Sequence, residues 1–173
     1  MARVFIGVGS NIDPEPNVEK AINLLAGSVR VVALSTFYRT EAEGRGGQPP
    51  FYNGVVEVAT EMPPGELKRC VLRQIEDELG RTRTEDKYAA RTIDLDILIC
   101  DDLAGTFDGL VIPDPQIAER PFLAIPLGEL APDLVLPGTG VPLREIAEAH
   151  IGQKMEPLRE YTELLRRSIG RES

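Results

Sequence analysis

Arg91-Thr92-Ile93-Asp94-Leu95-Asp96-Ile97-Leu98 is the stretch whose reading decides the fold. Its aliphatic and β-branched residues give it strand composition. Side chains alternate across a strand, so Asp94 and Asp96 project from one face and Ile93, Leu95 and Ile97 from the other. Two carboxylates side by side, roughly 7 Å apart by strand rise, repel unless a cation lies between them. Magnesium suits such a pair, because it takes one or two carboxylates and completes its shell with water and substrate phosphates. Read alone, the pair also suits a solvated strand face, or an edge strand guarded by charge. Arg81, Arg83 and Arg91 lie within a short window of it. Arginines beside paired carboxylates suit a polyphosphate held by metal on one side and guanidinium on the other.

Three further strands and two helices precede this one. Residues 3–9 form a short apolar run that ends at Gly9-Ser10-Asn11. A Pro-rich turn follows, and Val18, Ala21, Ile22 and Leu25 then recur at helical spacing up to a stop at Gly27. Residues 29–38 are rich in β-branched side chains and read as a second strand. The Gly- and Pro-rich residues 40–50 read as a loop, and residues 51–60 as a third strand. Pro63-Pro64 opens a helix over residues 65–79, with Leu67, Cys70, Val71, Ile75 and Leu79 as its apolar stripe and Gly80 as its stop. Residues 81–90 form a second polar loop, and residues 91–100 the fourth strand.

The order βαββαβ predicts an α+β, ferredoxin-like sandwich: one antiparallel sheet with helices on one face. Residues 101–112 are expected to form an accessory hairpin, and residues 113–126 a loop with a short helix. Residues 143–150 and 155–169 read as helices, the last with Leu158, Tyr161, Leu164 and Leu165 on one face. The whole is read as a single domain over residues 1–173, with residues 141–173 a helical C-terminal extension.

Composition narrows the function. A chain of 173 residues suits one domain with a real core. Its net charge of −9 argues against duplex nucleic acid or an anionic membrane as a partner, while leaving room for a local basic cluster that meets a nucleotide. The two cysteines, Cys70 and Cys100, lack metal-ligand spacing and are expected to be buried thiols in a reducing compartment. No apolar h-region precedes the first strand and no run approaches membrane-spanning length, which predicts a cytoplasmic protein. The only histidine, His150, stands far from the acidic pair, against a zinc or Ser-His-Asp centre.

Several separated motifs together resemble one family. They are Gly9-Ser10-Asn11, Phe37-Tyr38-Arg39-Thr40, Asn53, Gln74-Ile75-Glu76 and Gly80-Arg81-Thr82-Arg83. Arg91-Thr92-Ile93-Asp94-Leu95-Asp96 follows, then Arg120-Pro121-Phe122-Leu123 with Pro126-Leu127. Their order and spacing, over about residues 2–137, resemble the 6-hydroxymethyl-7,8-dihydropterin pyrophosphokinases of the folate pathway. The resemblance implies an ATP-dependent transfer of pyrophosphate to the hydroxymethyl group of a reduced pterin, with AMP as the second product.

The same resemblance implies residue roles. Two magnesium ions would be held by Asp94 and Asp96, and ATP by Glu76, Arg81, Arg83, Arg91, Ile97 and Arg120. Thr40, Phe51, Asn53, Tyr88 and Phe122 would hold the pterin. Arg81, Arg91, Asp94 and Asp96 would carry the catalysis. The partners expected are the two small-molecule substrates, with no nucleic acid and no membrane, in a monomer or weak homodimer. Loops 44–50 and 81–90 are expected to close over the substrates. The chain departs from the family pattern in several places. Tyr88-Ala89-Ala90 stands where a Trp and then Gly-Pro are usual, and Asp114 where a His is usual. Phe51 often has Tyr as its counterpart, Val111 a hydroxyl residue, and Glu41 and Glu43 a Pro and an apolar residue.

Overall fold

The computed structural model describes residues 1–42, 47–81 and 91–170. Strand β1 (Ala2–Ser10) leads through helix α1 (Pro14–Ser28) to β2 (Arg30–Leu34), β3 (Tyr38–Thr40) and β4 (Phe51–Thr60). A helical segment follows: α2 (Pro64–Leu67), a π-helical turn (Lys68–Leu72) and α3 (Arg73–Glu78). Then come β5 (Asp94–Cys100), the hairpin β6 (Gly105–Phe107) and β7 (Leu110–Ile112), α4 (Pro121–Leu130), α5 (Leu143–Glu148), β8 (Glu156–Pro157) and α6 (Arg159–Gly170).

The main sheet is antiparallel, in the order β5-β1-β4-β3-β8, with β2 also on β4. The expected α+β sandwich is therefore present, with β1 and β4 at its centre. Val4, Ile6 and Val8 of β1, Val56 and Val58 of β4, and Leu95 and Ile97 of β5 turn to one face. There they pack with Val18, Ile22 and Leu25 of α1 and Leu67, Leu72 and Ile75 of the α2–α3 segment.

Helices cover both faces of the sheet, not one. Phe5, Val55, Leu98 and Ile99 pack on the second face against Ala124 and Leu127 of α4 and Leu143 and Ile146 of α5. The ladder between β1 and β5 slips one residue, because Phe5 pairs with Ile99 and Ile6 with Ile97. Leu98 is the extra residue, and the bulge lets Leu98 and Ile99 both reach this second core. Pro126 sits inside α4 and masks its helical pattern in the sequence.

The strand expected over residues 29–38 is broken. Ser35 leaves the ladder but satisfies Val55 twice: its N–H donates to the Val55 carbonyl at 2.9 Å, and its hydroxyl accepts from the Val55 N–H at 2.8 Å. The break drops Phe37, fully buried, onto Gly54, where a Cβ would stand 2.6 Å from the ring. The last helix starts at Arg159, later than its sequence pattern predicts, because residues 156–157 add an edge strand to β3. Pro is tolerated there because an edge strand has a side that needs no donor. Leu158 precedes the helix and Leu164 is exposed, so Tyr161 and Leu165 carry its apolar contact.

Cys100 is buried as expected, but Cys70 is exposed. The π-helical turn causes this. The Arg73 N–H reaches back to the Lys68 carbonyl, and the extra residue rotates the helix face. Leu72 takes the core position and Cys70 turns to water.

Candidate active site

A cleft of about 380 Å³ opens on the second face of the sheet, beside the N-terminus of α4. Its floor is made of Gly7 and Gly9 of β1, Asn53 and Gly54 of β4, and Asp94, Asp96 and Leu98 of β5. Arg120, Phe122 and Leu123 form the α4 wall, Thr40 and Phe51 another, and Asp114 and Gln116 the rim after the hairpin.

At one end Asn53 is held in place by its neighbours. Its amide Nδ2 donates to Thr40 Oγ1 at 2.8 Å, and Gly9 is its ladder partner on β1. A Cβ on Gly9 would stand 2.6 Å from Asn53 Oδ1, so the absent side chain is what leaves room for the amide. Asn is a poor strand former, but here it gives the cleft floor an acceptor and a donor for the edge of a planar ligand. Gly9→Ala should push the Asn53 amide off Thr40. The expected result is binding of a planar heterocycle weakened roughly tenfold or more with binding at the carboxylate end of the cleft nearly unchanged, read by titration.

At the other end the carboxylate pair sits within a frame of charges. Asp94 Oδ1 accepts from Arg81 at 3.0 Å, and its Oδ2 from Arg91 at 2.8 Å. Behind them Glu76, only 1% exposed, accepts from the Leu95 N–H at 3.0 Å and pairs with Arg81. Lys68 pairs with Asp96 Oδ1 at 3.3 Å and donates to the Leu95 carbonyl. The α2–α3 segment thus satisfies both polar groups of the Leu95 peptide on β5, an edge strand of the described sheet.

Asn11, 1% exposed, ties the approach segments to the end of β1. Its Oδ1 accepts from the Arg91 N–H at 2.7 Å, and its Nδ2 donates to Gln48 Oε1 at 3.1 Å and the Pro49 carbonyl at 3.2 Å.

The Asp96 carboxyl is pushed up to about 6 by burial first and the Asp94 carboxylate second, with Lys68 opposing both. Burial and, second to it, the facing carboxylate both disfavour the charged form. The donor set fits magnesium: two hard oxygen ligands on one strand face, both lining the cleft. The pH dependence follows. The folded pKa lies above the ordinary value of 3.8, so stability from this group is complete below about pH 4 and is lost as pH rises through about 6. Asp96→Asn should therefore gain on wild type in metal-free thermal melts as pH rises from 4 to 7. The gain should be about 1 kcal/mol, small because half of the Asp96 side chain is in water.

Residues 5–132 match the family described as 7,8-dihydro-6-hydroxymethylpterin-pyrophosphokinase (HPPK). The chain belongs to this family. It is 40% identical over 145 residues to the 2-amino-4-hydroxy-6-hydroxymethyldihydropteridine pyrophosphokinase of Methylorubrum extorquens, covering 82% of this chain and 90% of that one. To the enzyme of the same name in Haemophilus influenzae it is 32% identical over 158 residues, covering 90% and 97%. Among solved structures, the wild-type HPPK-DHPS of Plasmodium falciparum superposes with a TM-score of 0.69 at 13% identity over 87% of this chain. This chain spans 45% of that longer protein, and the likeness concerns the fold.

In this HPPK family member, the cleft gathers most of the residues the sequence singles out. Thr40, Phe51, Asn53, Arg91, Asp94, Asp96, Arg120 and Phe122 all line it. Arg81 reaches it through Asp94. Two expected ATP contacts are not in the lining. The side chain of Ile97 belongs to the core on the opposite face, because strand alternation turns it away from Asp96. Glu76 lies behind Arg81 as an anchor for it and for β5. Arg83 and Tyr88, like residues 43–46 of the first loop, lie outside the described residues.

Lys68, Asn11, Leu98 and Gln116 belong to the site or its frame but carry no site role in the sequence reading. Asn11 is visible as the end of Gly9-Ser10-Asn11, whereas Lys68 meets Asp96 across elements distant in sequence.

Proposed function

We propose that this cleft transfers the pyrophosphoryl group of ATP to the hydroxymethyl group of 6-hydroxymethyl-7,8-dihydropterin, giving the pterin diphosphate and AMP. This is the ATP-dependent diphosphotransferase activity that supplies folate biosynthesis. One observation carries the reading. An arginine-flanked carboxylate pair and an Asn–Thr pair with two phenylalanines share a single cleft. One end has the chemistry for polyphosphate, the other for a flat heterocycle with polar edges.

The pterin hydroxyl attacks the β-phosphorus and AMP leaves, a phosphoryl transfer that needs positioning and charge neutralisation above all. Asp94 and Asp96 would hold two magnesium ions, whose chemistry is to offset phosphate charge and fix the in-line geometry. Arg81 and Arg91 meet the charge that develops on the transferred group. Their guanidinium groups already converge on Asp94, and Arg81 Nε is buried with no hydrogen-bond partner among the described residues. Arg120, at the N-cap of α4, holds the ATP chain, and Arg83 is assigned the same task from its motif. Asn53 and Thr40 read the pterin edge, Phe51 and Phe122 flank its ring, and Tyr88 is assigned to cover it.

The catalytic unit spans residues 1–173. Its extension from residue 141 is packed onto the sheet: Thr162 Oγ1 accepts from the Phe37 N–H at 2.9 Å, and Tyr161 stands edge-on to Phe37. No helix among the described residues is long and apolar enough to cross a membrane. A cytoplasmic location and a monomeric or weakly dimeric state complete the reading, with no nucleic acid or membrane partner.

The test is product analysis. Protein, magnesium, ATP and the hydroxymethyl pterin should yield AMP, separated and counted by chromatography. ADP as the nucleotide product would overturn the assignment.

A further inference from the structure

We infer that Lys68 is the built-in counter-cation of the carboxylate pair, occupying the field of Asp96 in the metal-free protein and opposing a divalent ion there. Lys68 is the first residue of the π-helical turn, and its side chain is only 13% exposed. Its ammonium reaches Asp96 Oδ1 at 3.3 Å and donates to the carbonyl of Leu95, one residue earlier on the same strand. A long charged side chain rarely spends its freedom in a nearly buried position without a partner. Here the partner is the carboxylate that the reading above assigns to metal, and the helix is distorted at the place that presents the lysine.

The consequence is electrostatic. Two carboxylates on one strand face repel, and Asp94 has an arginine on each oxygen. Among the described residues, Lys68 is the cation that pairs with Asp96. When a divalent ion arrives it meets a carboxylate already compensated, and it feels the ammonium as a like charge. Lys68 therefore keeps the empty cleft stable and weakens the hold on a bare divalent ion. Removing the lysine therefore lowers the stability of the metal-free cleft and tightens the hold on a divalent ion. Lys68 acts through Asp96 and is a positioning residue, not a group that touches the reacting atoms.

The inference rests on the magnesium reading of the pair, but its test needs no turnover, so failure of AMP formation and failure of this proposal are separate results. Four proteins are compared at pH 8: wild type, K68M, which keeps the apolar stem, K68R, which keeps the charge, and K154M as a distant exposed control. Thermal unfolding is followed with and without Mg²⁺, and Mn²⁺ binding is measured without nucleotide. K68M should melt lower than wild type in metal-free buffer and show a larger metal-induced rise in Tm. Its Kd for Mn²⁺ should fall roughly tenfold, the scale of one unit charge acting through water on a divalent ion a few ångströms away. K68R and K154M should respond as wild type does. Equal metal responses in K68M and wild type, or weaker Mn²⁺ binding in K68M, would overturn the proposal.

Discussion

Asp94→Ala is expected to lower the rate of AMP formation by roughly 10³-fold or more, measured at saturating ATP and pterin. Asp94 stands at the junction of the site. Each of its oxygens takes an arginine, Arg81 at 3.0 Å and Arg91 at 2.8 Å, and its neighbour Asp96 shares the same cleft floor. Removing the carboxylate takes away a proposed metal ligand and leaves both guanidinium groups without the group that aims them. The fold should survive, because the side chain faces the cleft and the strand is held by its ladder to β1. Asp94→Asn is the sharper variant. It keeps the size and one acceptor oxygen but loses the charge, and should be impaired nearly as much. Wild-type activity in that variant would show that the charge is not required.

Glu76→Ala should act on stability and rate together. Glu76 is 1% exposed, pairs with Arg81 and accepts the Leu95 N–H at 3.0 Å. Truncation takes one of the two carboxylates that hold the mostly buried Arg81 guanidinium and strands an edge-strand donor at once. The expected cost is about 3 kcal/mol, which for a chain of this size is roughly a 6–12 °C drop in Tm. The rate should fall as well, because Arg81 loses the anchor that holds it beside Asp94. Glu76→Gln keeps an acceptor for Leu95 and should recover part of the stability but little of the rate. A Glu76→Ala protein with unchanged Tm would contradict the anchoring role.

The carboxylate pair was legible in the sequence because strand alternation is strict. Once residues 94–100 form a strand, Asp94 and Asp96 must share a face and Leu95 and Ile97 must leave it. That rule also argues against Ile97 as a side-chain contact to ATP, a role taken from motif position. Asn53 was legible for a related reason: a polar amide in an otherwise apolar strand needs a polar neighbour, and Thr40 is that neighbour.

What was hidden depends on contacts distant in sequence or on irregular backbone. Nothing local in residues 29–38 announces that Ser35 will stand in for a ladder residue, because its partner Val55 lies on another strand. The cover on the second face was obscured by Pro126, which reads as a breaker but sits within α4. The π-helical turn is the most consequential case. A regular helical period over residues 65–79 puts Cys70 on the apolar stripe, whereas one extra residue in the turn leaves Cys70 exposed, and Lys68 at its start pairs with Asp96 on a distant strand.

One cleft moves two phosphoryl groups as a unit onto a pterin, and the phosphorus content of the pterin product tests this most directly. Wild-type protein, magnesium, ATP and the hydroxymethyl pterin are followed by ³¹P NMR. The expected result is a pterin product with two coupled phosphorus signals, an equal amount of AMP, and loss of both on Asp94→Ala. A pterin monophosphate accompanied by ADP, or ATP consumed with no phosphorus on the pterin, would contradict it.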